Sequence, residues 1–279
     1  MAYKTILVHV DTDKRSSSRV DFAATLALHW GAHLVGMHIV APPRVPSYAR
    51  GELGSDFLAV TRERQQAIID VTAKSFNDAM RRHGLVGSEW RAPVGDLYEE
   101  ATLQARYADL VIVGQANPDD ESVSVPANFA ESLTLSCGRP VLALPYAGSF
   151  DPKFGRVLVC WKPSREAIRA VTDSIPFLQR AEQVSILSVN PRSSPFGHGE
   201  IPGADLALYL ARHKVKAEVV AQTGVQIEVG DFILSRAADL SADLIVMGAY
   251  GHARIRELVF GGVTRTLVRH MTVPVLFSH

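Results

Sequence analysis

The chain repeats itself over the length of a whole domain, and this limits its fold more than any other feature. The stretch VGDLYEEATLQARYADLVIVG (94–114) returns as VGDFILSRAADLSADLIVMG (229–248), one residue shorter. RPVLALP (139–145) matches VPVLFSH (273–279), and TILVHVD (5–11) matches VLVCWK (157–162). The offset is 151 residues at the first strand and 134 at the last two, so the second copy is shorter by about 17. A period of roughly 140 residues is too long for a solenoid unit and matches a domain.

Within each copy, short apolar runs alternate with segments of helical period. The runs are Thr5–Val10, His33–Val40, Glu89–Ala92, Leu110–Val113 and Val141–Leu144, then Val157–Trp161, Val184–Val189, Ala217–Ala221, Leu244–Met247 and Val273–Phe277. Near-continuous apolar strands joined by helices indicate parallel sheets covered on both faces. The expected fold class is α/β, two tandem five-stranded, Rossmann-like domains with right-handed crossovers. The stretch PYAGSFDPKFG (145–155) has the Pro, Gly and Ser of a linker, which divides the chain into 1–150 and 151–279. The pattern places Val20, Ala23, Ala24, Ala27 and Leu28 on one face of a first helix. Ser16 to Ser18 offer its N-cap, and Gly31 its stop. A second helix covers 57–84 and ends at Gly84. Ser164 caps a helix turning Ile168, Val171 and Ile175 inward, which Pro176 should kink or end.

Lysine plus arginine equals aspartate plus glutamate, at 29 each, so no net charge draws the chain to nucleic acid or an anionic membrane. No run approaches about 18 apolar residues, the length a spanning helix needs, and the amino terminus lacks the pattern of a signal peptide. The expected compartment is the cytoplasm. Cys137 and Cys160 lie far apart in or beside apolar runs, as small buried hydrophobes do.

In an open α/β sheet, ligands gather at the carboxyl ends of the strands, where the strand order reverses. That directs attention to Asp11 and Gly114 in the first copy, and to Lys162 and Gly248 in the second. After the fourth strand of the second copy stands Gly248-x2-Gly251-x9-Gly261-Gly262-Val263-Thr264. The first two glycines allow close backbone approach to a ligand. The second pair opens a helix over 263–270, whose free N–H groups favour an anion. His252, Arg254, Arg256 and Arg265 add positive charge, which Glu257 partly offsets. The same residues fit a plain glycine-punctuated turn, and the residues alone leave cradle and turn evenly matched. A P-loop, a G-x-G-x-x-G fingerprint, a G-x-S-x-G elbow and an H-E-x-x-H pair are all missing. FGHGEIPG (196–203), with His198 and Glu200, reads as a polar loop and not as a metal site.

These motifs resemble the universal stress protein family in its tandem, two-domain form, over nearly all of the chain. Gly248, Gly251 and Gly261 match that family's G-x2-G-x9-G-[ST] loop; Gly262 stands where Ser or Thr is usual, and Val263 and Thr264 fit the V-[ST] that follows. The resemblance implies strand order 3-2-1-4-5 and a role in stress tolerance. It also implies ATP or a related adenine nucleotide bound in some members, with Mg2+ as an optional companion, and no ligand in others. It further implies pairing of last strands, here a pseudo-dimer inside one chain, with a homodimer open as a further step. The family's aspartate at the end of strand one is kept as Asp11, but Lys162 replaces it in the second copy, where it could still reach phosphate. Val189, near the end of strand two, is where the family would contact adenine through its backbone.

The repeat supplies an internal comparison. Gly114 to Pro140 and Gly248 to Pro274 span 26 residues each, so the loops align without a gap. Asn117 stands opposite Gly251, and Ala127, Asn128, Phe129 and Ala130 stand opposite 261–264. PDDES (118–122) adds three carboxylates, so the first copy reads as a degenerate site around Asp11, Gly114 and Asn117. The asymmetry is crossed: one copy keeps the aspartate, the other the glycines. The reading that follows is a stress-response protein binding an adenine nucleotide in its second domain, regulatory and with slow or no hydrolysis. Its competitors are a nucleotide-free interaction platform and a small ligand in the first domain covered by segment 41–60, with Tyr48 and Phe57.

Overall fold

The computed structural model describes residues 3–42, 55–118, 125–191, 202–249 and 262–279. The first half runs β1 (Thr5–His9), α1 (Ser16–Trp30), β2 (His33–Met37), α2 (Ser55–His83), β3 (Ser88–Arg91), α3 (Leu97–Ala105), β4 (Leu110–Gly114), α4 (Phe129–Cys137) and β5 (Val141–Leu144). The second runs β6 (Arg156–Cys160), α5 (Arg165–Leu178), β7 (Gln183–Val189), α6 (Ala204–Arg212), β8 (Ala217–Gln222), α7 (Val229–Asp239), β9 (Leu244–Gly248), α8 (Gly262–His270) and β10 (Val275–Ser278).

The ten strands form one sheet in the order β3-β2-β1-β4-β5-β10-β9-β6-β7-β8. Each half has the order 3-2-1-4-5, and every pairing is parallel except β5 with β10, where Val141, Leu142 and Ala143 face Phe277, Leu276 and Val275 antiparallel. The expected pairing of last strands is therefore made within the chain. The central strands are apolar along their length because helices cover both faces. Ile6, Val8, Leu110, Ile112, Leu142, Leu158, Val246 and Leu276 are all buried.

The sheet has one apolar layer on each face, and each layer runs through both halves. On the α1 and α5 face an aromatic chain crosses the seam. Tyr3 meets Trp30 with ring centres 4.7 Å apart, Trp30 meets Phe177 at 4.7 Å, Phe177 meets Phe154 at 5.2 Å, and Phe154 meets Phe22 at 6.0 Å. The Tyr3 hydroxyl also donates to the Asp173 carbonyl. This crossing rotates the buried stripe of α1. Val20, Ala23, Ala24 and Ala27 face inward as expected, but Phe22, Leu26 and Trp30 join them and Leu28 is left exposed.

Helix ends follow local chemistry. Gly31 and Gly84 take left-handed conformations, at φ 58° and 65°, and end α1 and α2 as expected. Ser164 caps α5, its Oγ accepting from the Ala167 N–H at 3.3 Å. At α1 the expected serine cap is not made: Arg15 is the N-cap residue, and the Ser16 hydroxyl accepts from the Asp11 N–H at 3.1 Å. Helix α5 turns small residues inward, Ala167, Ala170 and Ser174 among them, so that Ile168 lies on its exposed margin while Val171 and Ile175 are buried. Pro176 falls in its last turn, and the helix ends at Leu178.

Candidate functional site

The carboxyl ends of β1 and β4 form the first-half crevice, and a buried ion pair fills it. Asp11 follows β1 and is only 7% exposed; Arg19, one turn into α1, is 5% exposed. Arg19 Nη2 lies 2.8 Å from Asp11 Oδ1, and its Nε donates to the His9 carbonyl at 2.8 Å. Asp11 Oδ1 also accepts from the Asp13 N–H, and Oδ2 lies 3.5 Å from His9 Nδ1. Burial alone would raise the Asp11 carboxyl, but Arg19 and His9 together hold it well below the usual carboxylate range. Burial lowers His9, with the Asp11 hydrogen bond opposing, so the ring is biased toward its neutral form.

Gly114 ends β4 against this pair. A Cβ at Gly114 would overlap Arg19 Nη1, so the glycine makes room for the guanidinium. Asp11 and Gly114 thus come together at the crevice with Arg19 lying between them. Asn117 is half-buried further along the same connection. At the start of α4, Asn128 Oδ1 accepts from the Tyr98 hydroxyl at 2.8 Å. The Phe129 ring centre lies 5.1 Å from that of His9, and Glu131 is buried in the first turn. An acidic group there opposes an anion at the helix N-terminus. The sequence pattern singled out neither Arg19 nor Glu131. The only signal for Arg19 was a cation on an apolar helical face, eight residues after the aspartate.

The second-half crevice lies at the ends of β6, β7 and β9, where Cys160 pairs with Leu187 and Met247. Lys162, two residues beyond, is exposed. Val189 is half-buried at the end of β7. Its neighbour Asn190, at φ 46°, exchanges two hydrogen bonds with Val225 that fix the strand end. Gly248 pairs with Ser278 of β10, and a Cβ at this position would overlap the backbone of Glu166 and Ala167. Its lack of a side chain is therefore used to bring the N-terminus of α5 into backbone contact with β9. Glu166, in that first turn, is buried and accepts from Arg165 Nε at 2.9 Å. Burial would raise its carboxyl, and the Arg165 bond leads the contacts that hold it below its ordinary value.

Gly262 differs from Gly248. It opens α8 at the surface, and a Cβ there would meet nothing within 4 Å among the described residues. Val263 is half-buried, Thr264 buried, and Arg265 stands where the first half has Glu131. The first turn of α8 contains no acidic residue. Gly251, His252 and Gly261 lie outside the described residues, as do His198, Glu200 and Tyr48 and the side chain of Phe57. Among the described residues no cluster of three or more His, Cys, Asp or Glu gathers to hold a metal, and no helix is long and apolar enough to cross a membrane.

Fold and crevices together define a doubled parallel α/β protein with one strand-end crevice in each half. The model of the Universal stress protein family matches residues 153–279, within the second half of the chain. The first half repeats the same strand order. A universal stress protein from Archaeoglobus fulgidus is similar in structure over 98% of this chain and 95% of its own, with a TM-score of 0.72 at 16% identity. A functionally unknown protein from Pseudomonas aeruginosa PAO1 is similar over 99% of this chain and 92% of its own, with a TM-score of 0.59 at 16% identity. In sequence, a universal stress protein of Synechocystis is 36% identical over 66 residues, which is 21% of this chain and 23% of that protein.

Proposed function

We propose that the second half binds an adenine nucleotide, ATP or a close relative, and that it serves as a regulatory or sensor module with slow or no hydrolysis. The start of α8 carries this reading. No described residue lies within 4 Å of a Cβ at Gly262, and the first turn of α8 holds Arg265 and no acidic residue, as a phosphate chain requires. The same place in the first half holds Asn128, Phe129 and a buried Glu131. Lys162 stands at the end of β6 to meet the ligand, and Val189 at the end of β7 is the candidate for backbone contact with the base. Any Mg2+ would enter with the phosphates.

Calorimetric titration of the full chain with ATP, ADP and AMP tests this. Replacing Gly262 with Val adds a side chain that meets none of the described residues, so the fold should persist while nucleotide affinity drops at least about tenfold, or about 1.4 kcal/mol. Absence of binding heat for all three nucleotides would reject the reading. One observation favours the competing nucleotide-free platform: Gly248 already has a packing role against α5. That reading requires unchanged ligand behaviour in the Gly262 variant.

A further inference from the structure

The first helix of each half sits differently on the sheet. Helix α5 packs on β9 and β10, with its backbone against Gly248. Helix α1 packs on β1, β2 and β4, and at Gly114 it is a side chain, Arg19, that meets the strand. The first helix of the first half thus stands off from its strand end by the width of a guanidinium. A partly enclosed cavity of about 340 Å³ lies there, bounded by α1, the ends of β4 and β5, and the connection that follows β5.

We propose that this cavity is a second ligand site, for a small organic monoanion with a flat apolar body and one carboxylate. Its lining is mixed: Phe22, Phe150 and Tyr146 supply apolar surface, and Ser18, Thr25 and Gln115 polar surface. Two guanidiniums line it. Arg19 is held through Nε and Nη2, and Nη1 is the atom turned toward Gly114. Arg15 is exposed and donates to the Gly148 carbonyl at 3.3 Å.

Two of the nearby acids have cationic partners, and the third bonds a backbone N–H. Asp11 pairs with Arg19; Asp21, on the cavity wall, lies 2.8 Å from Arg82 and 2.9 Å from His83; Asp13 accepts from the Arg15 backbone N–H. Among the described residues Arg15 makes no ion pair, so its guanidinium is the one placed to meet a single carboxylate. The volume is near the lower limit for ligand pockets, roughly 300 Å³, and suits a single ring better than a nucleotide. The inference is independent of nucleotide binding in the second half.

The probe is 4-hydroxybenzoate, titrated into the full chain by calorimetry or NMR, with 4-hydroxybenzamide as the uncharged shape control. The carboxylate should saturate at one per chain below about 10 mM, with the amide at least tenfold weaker. Arg15→Gln should reduce carboxylate affinity to that of the amide. Ser18→Trp, at an exposed position on the cavity wall, should abolish it. Excess ATP should leave the bound carboxylate in place. The proposal is overturned if the carboxylate does not saturate, if both variants bind like the parent, or if ATP displaces it.

Discussion

Arg19 is a single side chain that decides what the first-half crevice contains. Its charge is spent on Asp11, and both groups are almost wholly buried. Removing one member of such a pair strands the other. Arg19→Met should destabilise the chain by about 3–5 kcal/mol, read from urea unfolding. The acid response follows from the same cluster. His9 is depressed, so the unfolded chain takes up its proton first; its contribution is complete above about pH 6.5 and declines below. Asp11 is also depressed, so its contribution is complete above about pH 3.9 and is lost as pH falls toward its folded value. Melting temperature should therefore fall in two stages on acidification, and Asp11→Asn should remove only the lower one. Little of this was legible in the sequence. Asp11 read as a retained ligand group, because a one-letter pattern records an aspartate and not the arginine across the crevice that claims it. Gly248 and Gly262 also look alike in the sequence. They differ in three dimensions because α5, more than 70 residues before α8 in the chain, packs against only one of them.

At the scale of elements, the strands were the most readable part, since a strand buried on both faces has to be apolar throughout. Val141–Leu144 was given to the residue, and the other runs shifted by a few residues at most. The helix faces were less readable. Leu28 and Ile168 fit an inward stripe by period, yet both are exposed because neighbouring elements select a different arc of each helix. A similar dependence on neighbours appears at the end of α8. The buried Gln115, just past β4, donates to the Val268 carbonyl at 2.9 Å and accepts from the Tyr146 N–H at 3.1 Å. It satisfies a carbonyl of the last turn of α8 that the helix itself cannot. Gln115→Leu leaves both backbone groups without this partner and should cost about 1–3 kcal/mol in denaturant unfolding. Gln115 also borders the cavity, so the end of α8 is held by a residue of the first half's ligand wall.

Across the whole molecule, the sheet and its two apolar layers pass through the seam without interruption. Phe177, buried among Tyr3, Trp30 and Phe154, joins the halves on one face. Phe177→Ala should cost about 3–5 kcal/mol. Because both halves share that layer, near- and far-ultraviolet circular dichroism should still report one coincident transition, and two separated transitions would show that the halves unfold independently. The duplication was plain in the sequence; this shared interior was not, since each copy carries apolar runs that could equally serve a separate core. The single antiparallel junction between β5 and β10 has a further consequence. It reverses strand direction, so the two crevices open on opposite rims of the sheet. After the duplication, each rim was free to change without obstructing the other. One copy could close around its own arginine while the other kept its glycines.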